Sequence, residues 1–356
     1  MALSCLRLAN HMSLTRLWSV RSNSKINALC IPCVCHQSRY YSTSEVRRGA
    51  VRFATSKLEW AKNKYEGFLK RRFPRFYVLH RTLVEGFKLL FQDAKEVSQI
   101  KTKMASHGVT YEDLSYRELE KVRQFRRDLI KAIPLALISI PPFANYLVFV
   151  LMYFFPRQLL IPHFWTPKQQ AEYRQVYHSL RAQYHWPILK GLQQVSRQVE
   201  DSQLQSRLDH LCSKVQTGAN PKVSEILAVR SLFSGPPLGI NRLSVDQMRQ
   251  ISSLFFLTPR LPGFLINRRL LVHAFELTLL DRALGRLGPH QLSDSEVRQA
   301  CYVRGLNSDS VSIKQCREWL SQWLQISSSL KESEVSLLLH CLVFLSANYP
   351  NDGNHP

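Results

Sequence analysis

The sequence predicts an all-α protein in which one transmembrane helix is followed by a domain of several helices. Three observations support this fold class. Residues 132–156 are apolar and contain no charged side chain. The polar stretches on both sides repeat apolar residues at spacings of three and four, the period of a helix packed on one face. No stretch alternates apolar and polar residues as a half-buried strand would.

The N-terminal stretch has the composition of a mitochondrial transit peptide. Residues 1–44 contain no Asp or Glu, but they contain many Ser and Leu residues and five basic ones. A secretory signal would need an unbroken apolar region, which Arg7 and Arg16 interrupt. Arg39-Tyr40-Tyr41-Ser42 is similar to a matrix-processing site, so we assign residues 1–41 to the transit peptide.

Residues 42–131 are predicted to be a helical and partly amphipathic N-terminal region. Within it, residues 76–91 carry apolar and aromatic side chains at helical spacing, and a basic cluster at positions 70–75 precedes them. This pattern fits a surface of acidic lipid and fits equally well a helix packed on protein. Ser115 and Glu118 form a predicted capping box that starts a charged helix through Lys131.

Residues 132–156 are predicted to be the transmembrane segment. As a straight helix these 25 residues would measure about 37 Å, enough for one tilted crossing of a hydrocarbon core of ~30 Å. Pro141 and Pro142 predict a kink or a reentrant start before the span proper. The alternative is a buried core helix. The predicted lipid-embedded residues are Phe143, Asn145, Leu147, Val150 and Phe155.

A helical domain is predicted over residues 160–350, followed by a short tail at 351–356. Trp319 and Trp323, four residues apart, are expected in its core. Ser244, Ser293 and Ser312 are predicted N-caps, and Gly305 a left-handed helix end. The predicted helices cover residues 167–183, 186–199, 202–216, 221–233, 245–256, 262–287, 293–304, from 312 onward, and 332–347.

The charge balance predicts an anionic partner. The chain has 48 Lys and Arg against 26 Asp and Glu, a net charge of +22, which favours nucleic acid or a lipid surface. A basic matrix protein without such a partner is the alternative. Arginine binds phosphate in a bidentate manner, or it pairs with nearby acids. The candidate binding residues are Arg260, Arg268, Arg269, Arg298, Arg304 and Arg317.

No motif for catalysis, a cofactor or a metal occurs in the sequence. It contains no phosphate-binding glycine loop, no His-Glu-x-x-His and no Gly-x-Ser-x-Gly. We therefore predict that the protein is not an enzyme and has no cofactor or metal. Of eight cysteines, four lie in the leader and four are scattered among apolar residues, which predicts buried free thiols.

The stretch over 292–307, with its core Cys-Tyr-Val-Arg-Gly-Leu-Asn at 301–307, resembles the signature of the LETM domain. Segments 261–270 and 316–324 extend the resemblance, which covers roughly residues 75–347. The overall length resembles the short animal members of the family. The resemblance implies an inner-membrane-anchored helical module of 14-3-3-like architecture that binds the mitochondrial ribosome, through rRNA or a ribosomal protein.

Two departures from the family pattern bear on function. No Asp-x-Asp-x-Asp-Gly calcium loop is present. Where the long members carry a Glu and a Lys in the span, this chain has Asn145 and Tyr153, and an embedded carboxylate is what cation/proton exchange would need. We therefore expect a ribosome-binding protein that supports translation, respiratory-complex assembly or membrane organisation. A regulator of cation/proton exchange and a membrane scaffold for other inner-membrane proteins are the alternatives.

Localisation and orientation follow from the leader, the span and the resemblance. We expect a single-pass protein of the mitochondrial inner membrane, with the outer membrane as the alternative. The twenty residues before Ala132 contain six Lys and Arg, and the twenty after Pro156 contain three. Counting positive charges would place the N-terminal side in the matrix. The resemblance implies the opposite, a C-terminal domain in the matrix, and this is the orientation that we expect.

Overall fold

The structure is a computed structural model that describes residues 74–139 and 161–349, together with isolated positions at 60, 64, 67, 68, 70, 71, 154 and 157. The predicted transit peptide and the tail at 351–356 lie outside the described residues. So do five predicted residues of the span, Phe143, Asn145, Leu147, Val150 and Phe155.

The described ranges are helical and contain no strand, which confirms the all-α prediction. Short 3-10 turns at Pro162–Phe164, Arg230–Phe233, Pro289–Gln291 and Glu332–Glu334 connect some of the helices. The helices are α1 (Pro74–His107), α2 (Tyr116–Ser139), α3 (Pro167–Ala182), α4 (His185–Ser196), α5 (Ser202–Gln216), α6 (Val223–Leu227), α7 (Val245–Leu254), α8 (Gly263–Leu287), α9 (Asp294–Arg304), α10 (Ile313–Ser329) and α11 (Val335–Ser346).

Most helix ends form as the sequence predicts. Ser244, Ser293 and Ser312 each close a capping box with the residue three positions later. Pro262 is the N-cap of α8 and not its first residue. The prediction of one continuous helix over 221–233 is wrong. The segment forms a single turn of α-helix, α6, and then a 3-10 turn, because the chain leaves helical geometry at Val229 and so buries the apolar side chains of both turns, Ile226, Leu232 and Phe233.

Helix α2 continues through the predicted start of the span. Ser115 caps it together with Glu118, whose carboxylate accepts from the Ser115 backbone N–H at 3.0 Å. The helix then passes Lys131 and Ala132 without a break and is described as far as Ser139. In the part of the chain that the structure describes, no helix is long and apolar enough to cross a membrane.

The core lies where α8, α10 and α11 meet. Every residue from 336 to 346 in α11 is buried. Trp319 and Trp323 of α10 are fully buried with ring centroids 5.6 Å apart, which confirms their predicted place in the core. Leu114, Tyr116 and Leu119, at the start of α2, belong to the same continuous core. Helices on both sides of the apolar segment 132–156 therefore form one packed body.

Candidate partner-binding surface

Arg304, the arginine of the Cys-Tyr-Val-Arg-Gly-Leu-Asn stretch, is buried completely. Its Nε and Nη2 atoms lie 2.8 and 2.7 Å from Oδ1 of Asp281 in α8, and its Nη1 donates to the carbonyl oxygen of Ala300 at 2.8 Å. A guanidinium with no exposed surface cannot contact a partner. The prediction that Arg304 binds phosphate is therefore wrong, and the residue joins α9 to α8.

Asp281 is the centre of this buried polar cluster. Its second oxygen, Oδ2, accepts from Nε1 of Trp323 at 2.9 Å and from Oγ of Ser327 at 2.5 Å, both in α10. One carboxylate thus connects three helices. A buried charge is tolerated only when it is paired and hydrogen-bonded, and this arrangement meets both conditions.

The electrostatics of the cluster keep Arg304 charged. Burial alone would lower the pKa of Arg304, but the negative charge of Asp281 and its hydrogen bond raise it above its ordinary value. Burial also raises the pKa of Tyr116 to about 12, so its phenol stays neutral at physiological pH. The cluster is a fixed ion pair.

Gly305, directly after Arg304, ends α9 with a φ of 114°, in the left-handed region that was predicted for it. A Cβ at this position would lie 2.2 Å from Cγ of Leu342 in α11. Only glycine can meet both conditions here. Cys301 and Leu306 of the same stretch are also buried, so the segment that carries the family resemblance contributes to the core.

Arg298 and Arg317 are half-buried and bind backbone carbonyl oxygens. Arg298 donates to the carbonyls of Ser308 and Val311 in the loop after α9. Arg317 donates to the carbonyls at positions 289 and 292 at 3.0 and 3.2 Å, and it pairs with Asp294. Both guanidiniums hold loops in place, so the structure assigns them a structural role.

Arg260, Arg268 and Arg269 are the members of the predicted set that remain available to a partner. Arg260 lies in the loop before α8, and the other two lie in its second turn. All three side chains are exposed, and none forms an ion pair with any residue in the described ranges. Arg242, exposed in the loop before α7, lies at the same end of the domain, because its neighbour Asn241 contacts Asn267 of α8 at 3.3 Å.

The same half of α8 exposes large apolar side chains. Phe264, Leu271, Val272 and Phe275 are between 37 and 73% exposed. Together with Arg268 they occupy positions i, i+4, i+7, i+8 and i+11, which lie on one side of a helix. We call these five residues the α8 stripe.

Sequence reasoning missed Arg181 of α3. This arginine is buried and donates to the carbonyl oxygens of Leu254 and Tyr302 at 2.9 and 3.2 Å, while it lies over the rings of Phe256 and Tyr302. Burial lowers its pKa to about 10, so it remains charged. Nothing near it in the sequence distinguishes it from the surface arginines around it.

The cysteine and histidine side chains of the described ranges are mostly buried. In the described ranges, no group of three His, Cys, Asp or Glu side chains is arranged to hold a metal ion. Cys212, Cys301, Cys316 and Cys341 are buried free thiols, as predicted. His178 and His185, interpreted from the sequence as structural or surface residues, are both buried.

The helical architecture and the buried Cys-Tyr-Val-Arg-Gly-Leu-Asn segment define an all-helical domain of the LETM class. Residues 114–344 match the family described as LETM1-like, RBD, where RBD denotes the ribosome-binding domain. The match extends over more than half of the chain, and the chain belongs to this family.

Relatives of comparable length share about half of their residues with this chain. It is 51% identical over 314 residues to the LETM1 domain-containing protein 1 of Xenopus tropicalis, covering 88% of this chain and 90% of the relative. It is 49% identical over 297 residues to the Homo sapiens protein of that name, covering 83 and 82%. A Drosophila melanogaster protein named mitochondrial proton/calcium exchanger protein is 25% identical over 268 residues, 73% of this chain and 26% of that protein.

Proposed function

We propose that this chain is a mitochondrial inner-membrane protein whose helical domain binds the mitochondrial ribosome in the matrix. The match of residues 114–344 to a ribosome-binding domain family carries this proposal. The acid-free leader supports import, and the apolar segment 132–156, predicted as a single crossing, supplies the membrane attachment. Binding to the ribosome would serve translation, respiratory-complex assembly or membrane organisation.

The ribosome contact is proposed at the loops before α7 and α8, around Arg242 and Arg260. Both guanidiniums are exposed and without an ion pair in the described ranges, so they can bind phosphate of rRNA or acidic side chains of a ribosomal protein. Both loops meet at the N-terminal end of α8. Gly263, its first residue, lies beside Val245, the first residue of α7. The free N–H groups of a long helix add positive potential there.

Co-sedimentation of the full chain with mitochondrial ribosomes in mild detergent, over a series of salt concentrations, tests this proposal. We expect binding that weakens as salt rises, because each neutralised phosphate releases counterions. The variant Arg242→Glu/Arg260→Glu should lose most of the binding. Its matched control, Lys190→Glu/Arg207→Glu, changes the charge equally at exposed positions of α4 and α5 and should keep it. Equal losses in both variants, or no binding by the wild type, would contradict the proposal.

Cation/proton exchange has less support than ribosome binding. The relative named as a proton/calcium exchanger covers this chain only at 25% identity, and the chain has no charged side chain between positions 132 and 156. Asn145 cannot take up and release a proton as an embedded carboxylate would.

A further inference from the structure

The helices before and after the apolar segment are joined by direct contacts. Arg117 of α2 forms a two-pronged ion pair with Glu296 of α9, with Nε 2.6 Å from Oε1 and Nη2 3.3 Å from Oε2. Arg127 donates to Nδ1 of His273 in α8 at 3.1 Å, and Arg126 pairs with Glu276. α2 precedes the segment and α8 and α9 follow it. These contacts can form only if both flanks lie on the same side of the membrane.

The other edge of the segment returns to the same body. The turn at Pro162–Phe164, just after the segment, packs on α1, where the ring of Phe164 contacts that of Phe87 edge to face at 5.0 Å. Gly86 is required there, because a Cβ would lie 2.1 Å from the Phe164 ring. Ile161, the first residue of the described range after the segment, is buried.

The length of the intervening chain excludes two full crossings. Positions 140–160 comprise 21 residues, and a helix needs about 20 residues to cross a bilayer once. One crossing would leave the flanks on opposite sides and break every contact given above. Two crossings would need about twice the available length. The contacts among the described residues therefore require that the helices before and after the segment lie on one side of the bilayer.

The protein surface next to the apolar segment exposes apolar side chains, which suits contact with the bilayer. α2 and α8 run antiparallel, since Glu112, just before α2, pairs with Arg282, and Arg127, further along α2, contacts His273. The N-terminal half of α8, which carries the α8 stripe, therefore lies beside the part of α2 that enters the apolar segment. In that part, Ile130 and Ile133 are 61 and 47% exposed.

Two helical faces meet along this line. Ile130 and Ile133 lie four and seven positions after Arg126, on the same side of α2, and Arg126 contacts Glu276. Val272 and Arg268 lie four and eight positions before Glu276, on the same side of α8. The two exposed isoleucines thus continue the α8 stripe into one apolar surface.

We propose that this surface, formed by the α8 stripe with Ile130 and Ile133, rests on the bilayer, and that residues 74–131 and 161–349 lie on the same side of it. The inference rests on the proposed membrane attachment through residues 132–156, and it replaces the predicted single crossing. The large apolar side chains enter the headgroup boundary, while Arg268 and its neighbour Arg269 reach anionic phosphates. These two arginines are thereby assigned to lipid and not to the ribosome.

The bilayer is the occupant that these observations favour. A ribosomal surface would bind the arginines but would leave four large apolar side chains of α8 in water. The apolar surface is continuous with the segment that inserts, and its guanidiniums match the charge of cardiolipin-containing membranes. A protein partner bound to this surface would lie directly beside the segment that is proposed to insert into the membrane.

The sidedness is tested by labelling single cysteines in the full chain with a membrane-impermeant maleimide. Tyr111→Cys lies in the loop between α1 and α2, and Ser206→Cys lies on α5; both positions are exposed. The four buried thiols stay, and the leader cysteines are replaced by serine. We expect the two positions to behave alike in mitochondria, mitoplasts and detergent. Under each condition either both react or neither does. Reaction of one in mitoplasts and of the other only in detergent would overturn the same-side topology.

A cross-linking experiment checks that the packed body forms in the membrane. Arg117→Cys/Glu296→Cys should be joined by a short bismaleimide in intact mitochondria, because such a linker can replace the two long side chains that meet at their tips, and the control pair Arg117→Cys/Ser206→Cys should not. Failure of the first pair to cross-link, with the folded chain shown by resistance to protease, would also overturn the topology.

The lipid contact is tested with a photoreactive benzoylphenylalanine in place of Phe264, in vesicles of phosphatidylcholine with or without cardiolipin. Its matched control replaces Trp186, an apolar residue of α4 that is 55% exposed. We expect a several-fold excess of lipid adducts at position 264, reduced by Arg268→Glu/Arg269→Glu only when cardiolipin is present. Equal adducts at both positions, or adducts to ribosomal components in mitochondria, would overturn the lipid assignment. Release of the wild type by carbonate extraction would instead reject the membrane attachment itself.

Discussion

Arg304 and Arg268 lie 36 positions apart and were predicted as members of one binding set, yet they have opposite surroundings. Arg304 is fully buried on Asp281, within a cluster that joins α8, α9 and α10. Arg268 is exposed on the same α8 that supplies Asp281, among apolar side chains. The segment by which the family is recognised therefore stabilises the fold, while the α8 stripe, whose sequence is less distinctive, is available for binding.

The largest effect is expected from breaking the buried side of this comparison. Arg304→Ala leaves the Asp281 carboxylate buried without its cation, and removing one partner of a buried pair costs about 3–5 kcal/mol. The measurement is the free energy of unfolding of the full chain in detergent, by denaturant titration. The control Arg268→Ala should change it little, since surface substitutions away from contacts rarely matter. A similar loss in both variants would contradict the distinction.

A smaller effect is expected at the glycine that follows Arg304. Gly305→Ala places a side chain on a residue in the left-handed conformation, which destabilises the fold by about 1–2 kcal/mol. It also forces Leu342 to move, which destabilises the fold by about 1–3 kcal/mol. The matched control is Gly285→Ala in α8, where nothing lies within 4 Å of the new methyl group. The control should raise the melting temperature, because alanine favours the helix by about 1 kcal/mol. An unchanged melting temperature for Gly305→Ala would show that α11 is not packed as described.

Local sequence signals predicted the helices well. Ser293 and Ser312 satisfy the backbone N–H groups of their own helix starts, so the cap could be identified from a few adjacent residues. The break at Val229 could not be predicted. It depends on burying Leu232 and Phe233 against distant helices, which periodicity in a short segment does not report.

The fate of each arginine was not predictable from its neighbours. Arg304 is separated from its partner Asp281 by 23 positions, and Arg181 from the carbonyl of Tyr302 by 121. Such contacts depend on tertiary packing, while charge counting treats every arginine as a surface residue. The apolar segment was recognisable by composition, but its relation to the membrane depends on contacts such as that between Arg117 and Glu296, 179 positions apart.

The smallest of the expected effects compares a buried histidine with an exposed one. Burial lowers the pKa of His340 in α11 to about 4, although its Nδ1 lies 2.8 Å from the carbonyl of Ser336. The folded state therefore keeps His340 neutral while the unfolded state takes up a proton below about pH 6.5. The contribution of His340 to the free energy of unfolding is complete above about pH 6.5 and is lost as the pH falls towards 4. Between pH 6.5 and 5 one such histidine costs about 2 kcal/mol, at about 1.4 kcal/mol for each pH unit.

His340→Gln should therefore make the pH dependence of the free energy of unfolding shallower by roughly this amount, about 2 kcal/mol, over that interval. Burial also lowers the pKa of His185 to about 3, and that of His273 lies well below its ordinary value, so part of the dependence should persist. The control His210→Gln replaces an exposed histidine of α5 and should leave the dependence unchanged. The carboxylates with lowered pKa values, such as Glu296 at about 2, contribute only below about pH 4.5, outside this interval. If His340→Gln and His210→Gln showed the same slope as the wild type, then α11 would be open to solvent and the core around Asp281 would be looser than its contacts imply.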